Sequence, residues 1–134
     1  VHQIYDNDDL FAPVSSGSVQ TAGMVIIPCS SNTLGEIASG INNTLISRAA
    51  HYHLKEGRKL ILCIRESPLS LIELENGARI IRAGGVIMPV SPPFYMMKGA
   101  DPEKITWLEV MNSYVDRVLS VLGDTHHLTW ENIR

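Results

Sequence analysis

The sequence is short of positive charge: 11 Lys and Arg stand against 14 Asp and Glu, a formal net charge of -3. That balance excludes a general nucleic-acid surface and confines any positive site to a local cluster. Apolar runs are short as well. None approaches the ~18 residues that a membrane span requires, and no basic stretch leading into an apolar one opens the chain. The expectation is a soluble, cytoplasmic protein that binds neither nucleic acid nor membrane. Cysteine is scarce, and Cys29 and Cys63 have no C-x-x-C spacing, so buried thiols in a reducing compartment are expected rather than a disulfide framework. A Gly-x-Ser-x-Gly elbow, a Walker A loop and a Rossmann fingerprint are all missing. His51 and His53 would face nearly opposite ways on a helix, and His126 and His127 have no carboxylate or cysteine at ligand spacing, so no metal site is predicted.

What is present is an alternation. With 45% hydrophobic and 19% charged residues, the 134-residue chain fits one compact domain over 1–134. Three continuously apolar runs, Met24–Pro28, Lys59–Ile64 and Gly85–Pro89, suit strands covered on both faces of a parallel sheet. Helical patterns lie between and after them. Thr33-x-x-Glu36 has the form of a capping box, so a helix is expected to start there. Asn43 to Glu56 reads as a second helix with Gly57 as its stop. Leu71, Leu74, Ala78 and Ile81 share one face of a third. Asp101-Pro102-Glu103 reads as the N-terminus of a long last helix with Ile105, Leu108, Met111, Val115, Val118, Leu119 and Leu122 as its buried stripe. Strands alternating with helices predict an α/β, doubly wound parallel sheet whose ligands sit beyond the carboxyl ends of the strands.

Polar clusters fall at those strand ends. Ser30, Ser31, Asn32 and Thr33 follow the first run and form either a donor-rich cradle for a phosphate or polar ring edge, or an ordinary capping turn. Arg65-Glu66 follows the second, where an arginine grips a phosphate or carbonyl and a glutamate orients it or moves a proton, unless the two form a structural ion pair. Phe94 and Tyr95 follow the third in a proline-stiffened loop, as walls of an apolar pocket or as packing against the core. Arg48 and Lys55, two turns apart on one helix, are solvated charges or a local positive patch.

Four stretches, PCSSNTL, LISRAAHYHLKE, CIRESPLSL and VIMPVSPPFY, resemble in order and spacing the UbiX/Pad-type flavin prenyltransferases, formerly called aromatic acid decarboxylases, from about Ser15 to Leu122. The resemblance implies a three-layer αβα, flavodoxin-like domain that binds FMN and joins a dimethylallyl group from dimethylallyl phosphate to it without metal. The product, prenylated FMN, serves a UbiD-type partner decarboxylase. By position, Ser30, Ser31, Asn32 and Thr33 match the family's flavin-contacting loop and Arg65 its flavin-binding arginine. Glu66 is the nearby acid/base candidate. Tyr95 and Arg117 match the residues that hold the prenyl phosphate, with Arg48 and Lys55 in its basic surroundings. A homo-oligomer, a dodecamer by resemblance, with sites shared between subunits is implied as well.

Thr44 stands where the family has asparagine, and the connection from Tyr95 to Arg117 is longer than the family's. The family's N-terminal strand, Gly-Ala-Ser phosphate loop and helix are absent, so the chain is expected to be a fragment of a longer polypeptide or a truncated form. Two other readings accompany the main one. One is an FMN-dependent cysteine decarboxylase of the phosphopantothenoylcysteine type, whose loop SSNT resembles but whose P-x-M-N-x-x-M-W segment is replaced by MPVSPPFYMM. The other is a non-catalytic FMN-binding subunit.

Overall fold

The computed structural model describes residues 3–123, without the side chain of Met96; His126 and His127 lie outside the described residues. The chain divides into two compact units, Val1–Pro89 and Val90–Arg134.

The first unit is built on three parallel strands, β1 (Met24–Cys29), β2 (Leu60–Ile64) and β3 (Val86–Ile87), in the order β1-β2-β3. Helices α1 (Ser31–Ala38) and α2 (Leu45–Lys55) connect β1 to β2, and α3 (Leu71–Arg82) connects β2 to β3. Side chains alternate across a strand, and here the alternation sorts the core. Leu60, Leu62 and Ile64, with Met24, Ile26 and Ile87, pack on Leu34, Ile37 and Ala38 of α1, Ala50 and Leu54 of α2, and Ile80 of α3. The intervening Ile61 and Cys63 are equally inaccessible, so β2 is buried on both faces, as its unbroken apolar run predicts. Each fully buried Leu or Ile here contributes roughly 1.5–3 kcal/mol. β1 departs from that expectation: Ile27 is 48% exposed and Pro28 is exposed, because β1 stands at the end of the strand order and its register shifts between Ile26 and Cys29.

Gly85 makes the tight entry into β3 possible. A Cβ there would lie 2.5 Å from Ile80 Cγ2 and 3.2 Å from the Ile80 carbonyl oxygen, which already accepts the Gly85 N–H at 2.9 Å. The residues before β1 run along α2. Asn7 accepts the Leu45 N–H with its carbonyl oxygen and the Ile46 N–H with its side chain, and Arg58 donates to the carbonyls of Val19 and Gly17. Buried His53 lies 2.7 Å from both Thr21 Oγ1 and the Ala49 carbonyl, so both its ring nitrogens are used in structure.

The helical face read from Leu71, Leu74, Ala78 and Ile81 is not the buried one. α3 buries Gly77 and Ile80, while Leu71, Leu74 and Ile81 are exposed. The buried side faces β3: a Cβ at Gly77 would lie 3.8 Å from Ile87 Cγ1, in ordinary van der Waals contact, and Ile80 packs into the core.

The second unit holds a short 3₁₀ turn, Phe94–Met97, and α4 (Trp107–Leu122). α4 begins later than Asp101. Asp101 instead closes a local turn, accepting from Glu103 N at 3.0 Å and Lys104 N at 3.0 Å, and the helix is capped by Thr106 with Glu109. Val118 is buried as expected, but its buried companions are Val110, Ser113 and Tyr114, while Leu108 and Val115 of the expected stripe are exposed. Apolar residues cover more than half of this helix, so two stripes satisfy the same period. Among the described residues no helix is long and apolar enough to cross a membrane.

Candidate functional site

The carboxyl edge of the sheet brings two polar clusters side by side. Cys29 pairs with Ile64 across β1 and β2, so Ser30 and Arg65 are the first residues beyond neighbouring strand ends. Ser30 is the N-cap of α1: its hydroxyl accepts from Thr33 N at 3.1 Å and donates to Thr33 Oγ1 at 3.1 Å. The helix therefore starts three residues before the expected Thr33-Glu36 box, and Ser31, Asn32 and Thr33 form its first turn rather than a preceding loop. Glu36 accepts from Asn32 Nδ2 at 2.9 Å instead of capping Thr33. The N–H groups of Ser31 and Asn32 are left without intrahelical acceptors, at the positive end of the helix dipole.

Arg65 and Glu66 are exposed and make no hydrogen bond or ion pair with each other or with another described residue. A structural ion pair is thereby excluded for this conformation, and both charged groups remain free for a ligand.

Glu73, not among the residues expected at the site, ties the first turn of α1 to the start of α3. One carboxylate oxygen accepts from Ser31 Oγ at 3.3 Å; the other accepts the Ser70 N–H at 2.9 Å and the Ser70 hydroxyl, completing the capping box of α3. The Ser70 hydroxyl, backbone donors at Glu73 and Ser70, and the Ser31 hydroxyl together hold its carboxyl below the ordinary value of 4.5. The Ser70-x-x-Glu73 spacing was the available signal. Both cysteines are buried and neither is in a disulfide, and burial, with the proximity of Cys63 adding to it, pushes the Cys29 thiol up to about 11. Among the described residues no group of three His, Cys, Asp or Glu side chains gathers to hold a metal.

The basic pair on α2 is separated along the helix. Leu54 packs near Gly85 at the amino end of β3, which puts the adjacent Lys55 at the amino edge of the sheet, with its Nζ 5.6 Å from the Tyr52 ring centre. Arg48, half-buried, lies two turns away in the helix's first half. Thr44 is the N-cap of α2, exchanging hydrogen bonds with Ser47. In the second unit Tyr95 is 68% exposed in the 3₁₀ turn, and exposed Arg117 lies on α4 with one guanidinium nitrogen 3.5 Å from Ser120 Oγ. That unit contains an apolar groove of about 450 Å³ lined by Phe94, Met97, Ile105, Trp107 and Val110; of the two loop aromatics Phe94 and Tyr95, Phe94 borders it.

Fold and edge define a parallel α/β protein with a donor-rich cluster, the candidate ligand site, beyond its strand ends. The chain belongs to the flavoprotein family, whose model matches residues 2–121. It is 42% identical over 127 residues to the flavin prenyltransferase UbiX of Saccharolobus solfataricus, covering 93% of this chain and 60% of that protein. It is also 42% identical over 119 residues to flavin prenyltransferase UbiX of Thermoplasma acidophilum, covering 89% and 63%. The chain thus spans about three fifths of the length of these relatives. Its structure superposes on AnUbiX (PadA1) in complex with FMN and dimethylallyl pyrophosphate with a TM-score of 0.83 at 39% identity, over 97% of this chain and 64% of that one. A dodecameric FMN-dependent UbiX-like decarboxylase from Escherichia coli O157:H7 matches with a TM-score of 0.82 at 40% identity, over 94% and 66%. The fold is the three-layer, flavodoxin-like α/β fold of these structures.

Proposed function

We propose that the chain is the flavin-holding part of a prenyltransferase that joins the dimethylallyl group of dimethylallyl phosphate to FMN, giving prenylated FMN for a UbiD-type decarboxylase. The observation that carries this reading is the pairing of an N-capped helix start with an unpaired arginine and glutamate on adjacent strand ends. These residues fit FMN: the ring edge is rich in acceptors, and the site offers the Ser31 and Asn32 N–H groups, hydroxyls and the Arg65 guanidinium. When bound, FMN supplies the electron-rich ring that the prenyl group joins.

The chain's own residues bind and orient. The Ser30–Thr33 turn and Arg65 hold the flavin. Glu66, exposed beside Arg65, is the group placed to move a proton. Tyr95, Arg117, Arg48 and Lys55 are assigned to the departing phosphate, whose charge needs positive partners. Lys55 stands at the sheet edge opposite Arg65, so its assignment to the phosphate needs a homo-oligomer in which one copy's Lys55 serves another copy's site, a reading supported by the dodecameric relative. The protein is assigned to the cytoplasm, where reduced flavin is available.

The test is anaerobic incubation with reduced FMN and dimethylallyl phosphate, followed by the mass of the released flavin. A gain of one prenyl unit is expected. Flavin that binds but leaves unchanged in mass would overturn the transferase reading and favour an FMN-binding subunit or an FMN-dependent cysteine decarboxylase.

A further inference from the structure

The loop that carries Arg65 and Glu66 is held to one short stretch of chain at both ends. At its start, Ile64 pairs with Cys29 at the end of β1. At its finish, Ser70 and Glu73 are tied to Ser31 through the Glu73 carboxylate, one oxygen on Ser31 and the other on Ser70. Residues 65–69 therefore form a closed span whose two anchors, Cys29 and Ser31, flank Ser30, the cap of α1. The Ser31 hydroxyl is committed to Glu73, which leaves the Ser31 backbone N–H as its contribution toward a ligand.

We propose that Glu73 is a positioning residue of the flavin site. It fixes the first turn of α3 against the first turn of α1, and so sets the separation between the α1 donor turn and the Arg65-Glu66 loop. A carboxylate suits this role because it is acceptor-only and presents two oxygens to two partners on different helices. An apolar residue at position 73 would leave α3 helical but detach the far end of the loop. The proposal rests on the flavin reading, since its effect is on flavin affinity.

The experiment is a double-mutant cycle on the full chain, using Ser31→Ala, Glu73→Ala and the double variant, with Glu73→Gln as the conservative replacement. FMN affinity is read by quenching of flavin fluorescence and stability by urea unfolding. Ser31→Ala is the informative single change, because it removes the bridge and leaves the Ser70–Glu73 capping box in place. Each single variant is expected to weaken FMN binding about fivefold, the equivalent of one net hydrogen bond. The double variant should be no weaker than Glu73→Ala alone, and Glu73→Gln, whose amide still reaches both serines, should recover most of the affinity. FMN affinity unchanged in Glu73→Ala while stability falls would reduce Glu73 to a helix cap and overturn the proposal, as would independent losses in the cycle. Absence of FMN binding by the unaltered chain would instead overturn the flavin reading itself, and the proposal with it.

Discussion

Replacing Ser30 separates its two roles, because capping a helix and facing a flavin ask for different chemistry. As a cap, the Ser30 hydroxyl satisfies Thr33 N at 3.1 Å, one of the donors that the first turn leaves without a partner. Ser30→Ala removes that acceptor and should cost about 1 kcal/mol in urea unfolding. Ser30→Asp keeps it. Aspartate caps as well as serine, and its charge suits the positive end of α1, so stability should stay within about 0.5 kcal/mol of the unaltered chain. Binding should follow the opposite order. Were the flavin held by this turn, a carboxylate within about 6 Å of the anionic reduced ring would repel it by about 3 kcal/mol at an effective dielectric constant near 20, roughly a hundredfold in Kd. Ser30→Ala introduces no such repulsion and should lose about tenfold or less. The assays are urea unfolding and titration of reduced FMN under anaerobic conditions. If Ser30→Asp bound reduced FMN like the unaltered chain, the α1 turn would not face the flavin, and the site would have to be sought elsewhere on the edge.

Arg65→Ala should weaken flavin binding by tenfold or more, roughly the worth of a charge-assisted bond, whereas Glu66→Gln should slow turnover with binding retained; normal turnover in both would remove them from the site. Gly85→Ala should cost about 1–3 kcal/mol by driving a methyl into Ile80, and the loss should shrink in an Ile80→Ala background; a loss that persists there in full would rule out collision with the Ile80 side chain as its cause. With Cys29 held near 11 and Cys63 fully buried, the native chain should resist thiol alkylation at pH 8 and label at both thiols in urea, and fast native labelling of either would contradict that burial. Glu73 is held below 4.5 in the folded chain, so its contribution to stability is complete above that pH and is lost as the pH falls through the folded value. Glu73→Gln should therefore flatten the acid limb of the stability profile, and an unchanged limb would assign acid sensitivity to other carboxylates.

The strands and the polar clusters at their carboxyl ends were legible because their signals have few rivals. A five-residue apolar run ending in Arg65-Glu66 has no helical reading of useful length, and burial on both faces of β2 follows from its lack of alternation. Helix faces were less legible because several stripes satisfy one period. On α3 the apolar residues Leu71, Leu74 and Ile81 outnumber the buried pair, yet Gly77 and Ile80 are the ones turned inward, so counting apolar residues on a period does not choose between competing faces. Helix starts failed for a related reason. Ser30 and Thr33 both match a cap, as do Asp101 and Thr106, and tertiary position chooses between them: Ser30 directly ends β1, and Asp101 is used up in its own turn. Glu73 shows the same limit at the site. Its spacing from Ser70 announces a capping box, but nothing local to it indicates that the second carboxylate oxygen reaches Ser31, 42 residues earlier. That bond exists because parallel pairing sets the starts of α1 and α3 side by side at one edge, so the residue that braces the site is visible only once the topology is known.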